Sequence, residues 1–150
     1  NIVFISEFQK RMHIYRPPTY FLGVKLRCRL IFGKDLLSQV HESEITPDLI
    51  YKRAIDLAQS ARGIYINSKD SDFWRKKYIK WLRVLALEVL YLHGIFDLSF
   101  ESGFAKLIRI NKDLEYLSPL LKKELPISTI SKISERLKIY IFTNFIKNAK

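Results

Sequence analysis

Apolar positions recur at helical spacing through most of this chain. After Thr46 comes Pro47, then Leu49, Ile50, Ile55, Leu57 and Ala58, a pattern that predicts a helix from Pro47 to Ile66 with a cap residue and a proline at its start. The segment Asn67 to Asp72 is polar. Asp70 or Asp72 is placed to cap a second long helix, whose apolar stripe includes Trp74, Tyr78, Trp81, Leu85 and Leu92 and which Gly94 stops. Phe100, Phe104, Leu107 and Ile108 mark a third helix over Ser99–Ile110. A shorter fourth is predicted over Leu114–Leu125, with Pro119 tolerated only in its first turn. Pro126 then separates a last amphipathic helix at Ser128–Asn148, carrying Ile130, Ile133, Leu137, Tyr140, Ile141 and Phe145.

Upstream the rhythm differs. Asn1-Ile-Val-Phe-Ile-Ser6 is β-branched and aromatic and suits a buried strand. Glu7 to Tyr15 fits neither template, Pro17-Pro18 breaks any helix, and Tyr20, Val24 and Cys28 return to helical spacing behind a capping Thr19. Leu30-Ile31-Phe32-Gly33 reads as a short extended piece ending in a turn. The predicted fold is mainly α: an antiparallel helical bundle of four to five helices with a short N-terminal α+β remnant. No repeat at a solenoid period is visible.

With 48% hydrophobic and 13% aromatic residues in 150, the chain carries enough apolar surface for one domain with a core. Its 26 Lys and Arg against 15 Asp and Glu give a formal charge of +11, which favours polyanionic partners: nucleic acid, nucleotides or acidic lipid. Such an excess also arises as plain solvating charge. Cys28 is the only cysteine, which excludes an intrachain disulfide and a cysteine-based zinc site and fits a reducing, cytoplasmic setting. The apolar run Val84 to Leu92 is broken by Glu88 and falls well short of the ~20 residues of a membrane span. Asn1–Ser6 lacks the basic start and long apolar stretch of a signal peptide. Because Asn1 opens directly on an apolar run, the chain reads as a domain excised from a longer protein.

Motifs with chemistry are sparse. Asp70-Ser71-Asp72 has the spacing of a paired-carboxylate Mg²⁺ site, but its place in a polar loop before a helix favours capping. His13, His41 and His93 have no second ligand one helical turn away. His93 instead suits a helix C-terminus. The closely spaced Arg and His of the HEPN ribonucleases are missing, Arg83 and His93 being too far apart, and the five glycines form no phosphate-gripping loop. The densest feature is Arg75-Lys76-Lys77-Tyr78-Ile79-Lys80-Trp81-Leu82-Arg83. Lys76, Lys80 and Arg83 share one helical face beside the stripe of Trp74, Tyr78 and Trp81. Cations so arrayed can contact phosphates, and an indole at their margin can stack on a base. Lys76, Lys80, Arg83 and Trp81 are therefore the candidate substrate- or phosphate-binding residues. The competing reading is a solvated basic face over a core stripe.

Two segments resemble the C-terminal part of minimal or antibiotic-type nucleotidyltransferases. Asn1–Ser6 is similar to that family's last core strand, and Ile31-Phe32-Gly33-Lys34-Asp35-Leu36 to its Gly-acid-Asp-Leu closure. Lys80-Trp81-Leu82-Arg83, Glu88, Gly94, Phe96-Asp97 and Phe104 resemble its helical domain. The resemblance spans about Asn1 to Leu125. It implies that residues 1–36 end an α+β catalytic core and that 46–150 form a helical bundle, packed as one unit, that supports nucleotide or acceptor binding. The family's Gly-Ser and Asp-x-Asp elements, which hold Mg²⁺ with a nucleoside triphosphate, are missing here, and Asn1 stands near the third carboxylate's position, where an amide is a poor metal ligand. The chain alone is then inactive, and its partner is a catalytic half or another protein. A nucleic-acid-binding helical module without chemistry and a protein-interaction bundle, contacting through Asn1–Ser6 or Ser128–Asn148, are the alternatives.

Overall fold

The computed structural model describes residues 45–66 and 71–147. The expected strand at Asn1–Ser6, the α+β remnant of residues 1–36, His13, Cys28, His41 and Asp70 lie outside the described residues. The chain divides at Thr46, and the unit from Pro47 onward is a helical bundle: α1 (Pro47–Ile66), α2 (Asp72–Leu92), α3 (Phe100–Ile110), a 3₁₀ helix (Lys112–Leu121) and α4 (Ile127–Ile141). No strand occurs among the described residues.

α1 packs chiefly on α4, α2 lies against both, and α3 with the 3₁₀ helix covers α2 from another side. The core comes from Ile50, Ala54 and Ala58 of α1, Leu82, Leu85 and Val89 of α2, Leu107 of α3, and Ile130, Leu137 and Ile141 of α4. Each large aliphatic side chain so buried contributes roughly 1.5–3 kcal/mol relative to exposure. The small alanines of α1 allow its partners to approach closely.

α1 has the predicted bounds. In α2 the cap is Ser71, between the two aspartates: its backbone is extended, and its Oγ accepts a hydrogen bond from Trp74 N at 3.4 Å. Asp72 becomes the first helical residue, where its charge faces the helix dipole. At the other end Gly94, at φ +78°, closes a Schellman motif: Gly94 N–H donates to Tyr91 O and Ile95 N–H to Leu90 O. The buried face of α2 is also turned relative to the predicted stripe. Tyr78 and Leu85 are buried as expected, together with Ile79, Leu82, Ala86 and Val89, while Trp74, Trp81 and Leu92 lie only half-buried at its edge.

The fourth element departs most from expectation. It runs from Lys112 to Leu121, and Pro119 stands in its last turn rather than its first. The reason is in the spacing: Leu114, Leu117 and Leu120 are all buried at intervals of three. Three residues per turn aligns them on one line of a 3₁₀ helix, whereas an α-helix would fan them apart. Asn111 starts the segment by accepting a hydrogen bond from Asp113 N on its Oδ1 at 2.8 Å. Pro126 directly precedes α4, which begins one residue earlier than predicted and widens after Ile141 into a π-helical turn, Phe142–Ile146.

Candidate functional site

Two kinds of charged group emerge from this packing: those bound into the structure and those left at its surface. Glu88, fully buried in α2, forms an ion pair with Arg53 of α1. A buried carboxylate survives only if a cation and hydrogen bonds replace its lost water, so this pair ties α1 to α2 rather than offering a reactive group. In sequence Glu88 looked like an interruption of an apolar run; its pairing with Arg53, 35 residues away, shows it bound into the fold.

Asp97 is bound in similarly. Its side chain is 12% exposed. Oδ1 accepts from Leu98 N and Ser99 N at 2.7 and 3.0 Å, while Oδ2 accepts from Ser102 Oγ at 2.7 Å and Lys106 Nζ at 2.6 Å. Burial acts to raise its pKa, but the hydrogen bonds from Lys106, Ser99, Ser102 and Leu98 together outweigh it and hold the carboxyl well below the usual range. Asp97 thus starts α3, whose Ser99 makes no side-chain cap bond of its own. Close packing completes the joint, since a Cβ on Gly103 would overlap Leu87 Cδ2 of α2.

His93 ends α2, as its sequence position suggested. Its Nε2 lies 3.1 Å from Tyr140 Oη, and its ring meets Phe145 edge-on at 4.9 Å. Burial pushes its pKa down and favours the neutral ring.

The four residues singled out from the sequence sit on α2 in different circumstances. Arg83 turns toward the end of the 3₁₀ helix, where Nε donates to Leu120 O at 2.7 Å and Nη2 to Lys122 O at 3.0 Å, with the guanidinium 5.7 Å from the Phe100 ring centre. Carbonyls at a helix end have no partner in the helix itself, and Arg83 supplies one. Lys76 is exposed and pairs with Asp72 at 2.8 Å, with Glu124 4.0 Å away. Mutual attraction lowers the Asp72 pKa and raises that of Lys76. Lys80 is exposed and has no ion pair among the described residues. Trp81 packs its edge against buried Tyr78, ring centres 5.1 Å apart.

Two neighbours were not singled out. Lys77 Nζ lies 4.8 Å from the ring centres of both Trp74 and Trp81 and 5.5 Å from that of Phe73. The i−4, i−3 and i+4 spacing that produces this cluster is visible in the sequence. The second is the segment after the 3₁₀ helix. Arg83 holds its backbone at Lys122, and Glu124 comes near Lys76, so exposed Lys122 and Lys123 border the basic face of α2. Their proximity comes from the fold.

No group of three or more His, Cys, Asp or Glu side chains that could hold a metal ion is present among the described residues. Asp72, the described member of Asp70-Ser71-Asp72, is already paired with Lys76. No helix of the described residues is long and apolar enough to cross a membrane. No family model, curated protein or solved structure matches the chain.

Proposed function

We propose that the helical unit binds nucleic acid through its phosphates, using Lys76 and Lys80 of α2 together with Lys122 and Lys123. The observation that carries this reading is the tether from Arg83 to the Leu120 and Lys122 carbonyls, which gathers lysines from two distant stretches of sequence along one border. Lys80 offers its charge outright, and Lys76 has only an exposed pair to exchange, an interaction of little net worth. Arg83 serves the site by position, its donors being turned to backbone carbonyls. Cys28, the single cysteine, suits a reducing compartment such as the cytoplasm for this activity.

Counterion release supplies the test. If four lysines contact single-stranded phosphates, the logarithm of the association constant falls against the logarithm of salt with a slope of about −3. Fluorescence anisotropy with labelled oligonucleotides measures it, and Lys80→Glu with Lys76→Glu should flatten the slope and weaken binding. Absence of binding at low salt defeats the proposal.

A nucleotidyltransferase helical domain is the second reading. The order of parts favours it: a Lys80-Trp81-Leu82-Arg83 helix, the turn at Gly94, then Phe96-Asp97 and a helix on which Phe100 and Phe104 stack at 5.9 Å. On this reading the chain supplies the acceptor or nucleotide surface and the carboxylates come from elsewhere.

A further inference from the structure

We infer that the ligand of this face is single-stranded nucleic acid, with Phe73, Trp74 and Trp81 forming a stacking platform for its bases. The inference rests on the phosphate-binding reading and narrows its substrate class.

Phe73 is 65% exposed at the start of α2 and so presents ring surface to solvent. Its ring lies 5.3 Å from that of Trp74, and Trp81 follows two turns further along the same helix. The Lys77 ammonium lies over all three rings. A lysine in that position is attracted by the negative faces of the rings, which places those faces on the solvent side of α2 rather than in the core. They become open to a flat partner when Lys77 moves aside. Lys77 has a long flexible stem and can move to a phosphate when a base takes its place over an indole. Lys76 and Lys80 stand one residue before and three after it, so a strand running along α2 meets cations for its backbone and rings for its bases within the same two turns. In a duplex the bases are stacked on each other and their faces are inaccessible, so the rings would find no partner there.

Aromatic rings among cations also suit an anionic lipid surface. The observations favour a nucleic acid because Trp74 and Trp81 are half-buried and lie along the helix with their faces covered by a cation, rather than projecting as a wedge. The chain has two tryptophans, and both belong to this platform. Intrinsic tryptophan emission is thus a reporter of this site alone.

The experiment titrates the protein with a thymidine oligonucleotide, with a duplex of equal length, and with phosphatidylglycerol–phosphatidylcholine vesicles, following tryptophan emission and anisotropy together. The single strand is expected to bind more tightly than the duplex and to quench the emission. Phe73→Leu, which keeps apolar bulk and removes the ring, should weaken single-strand binding by about 5- to 150-fold, the factor of one stacked base, while Phe73→Tyr keeps it. Phe73 is exposed, so neither variant threatens folding; circular dichroism checks this. Equal binding of both oligonucleotides without quenching would leave the phosphate reading standing and overturn the platform. Vesicles that shift the emission to the blue, with oligonucleotides leaving it unchanged, would assign the rings to lipid and also overturn it. Failure of both oligonucleotides to bind at low salt overturns the phosphate reading and this inference with it.

Discussion

The two halves of α2 carry charge in opposite ways. In the C-terminal half Arg83 is bound to two carbonyls and Glu88 is buried against Arg53, so each charge is consumed by the fold. In the N-terminal half Lys76, Lys77 and Lys80 lie at the surface among aromatic rings, and their partners are an exposed carboxylate, the π-faces of neighbours, or none among the described residues. One continuous basic run in sequence therefore divides into a structural part and an available part. Net charge draws no such distinction; the environment of each side chain does.

The largest effect that tests this division is expected at Glu88. Glu88→Ala removes one partner of a buried pair and should destabilise the unit by about 3 kcal/mol, the lower end for such pairs because Arg53 is still 22% exposed and can regain water. Urea denaturation measures it. The double change Glu88→Leu with Arg53→Met should recover most of the loss, since well-packed apolar groups can replace an ion pair. Failure to recover would mean that Glu88 does more than pair with Arg53.

Next comes Arg83. Arg83→Ala deprives the Leu120 and Lys122 carbonyls of their donor and should cost about 2 kcal/mol, a charged hydrogen bond being worth about 1.5–3. Its effect on oligonucleotide affinity should be smaller than that of Lys80→Glu. The opposite ranking, with stability unchanged and affinity lost, would move Arg83 into the binding half and shift the boundary drawn along α2.

The smallest structural effect is expected at Asp72. Asp72→Asn removes the partner of Lys76 and the charge facing the helix dipole but leaves the Ser71 cap, so the urea midpoint should fall only slightly while oligonucleotide binding tightens. Weaker binding would show that Asp72 orients Lys76 for its ligand instead of competing with it.

Much of the bundle was legible in the sequence because helix signals are local. Pro47 at a first helical position, Gly94 at a helix end and the apolar period of α4 act within a few residues, and these elements fall where the pattern puts them. The 3₁₀ helix was misread because a spacing of three, Leu114, Leu117 and Leu120, was set against the α-helical template, and Pro119 was judged by that template's rules. Half of the candidate site was legible for the same reason that the helices were: Lys76, Lys80 and Trp81 are near neighbours on one helix. Lys77 was visible too, but its meaning depends on which way the rings of Phe73, Trp74 and Trp81 face.

By itself, then, the sequence determined the α-helices, the stop at Gly94, the positive charge and the basic-aromatic run on α2, all of which depend on residues within about two turns of one another. Tertiary structure alone decided that Glu88 meets Arg53, that Arg83 meets the end of the 3₁₀ helix, and that Lys122 and Lys123 border α2. Those outcomes depend on how α1, α2 and the 3₁₀ helix pack, and periodicity along one helix holds no information about which distant residue will face it.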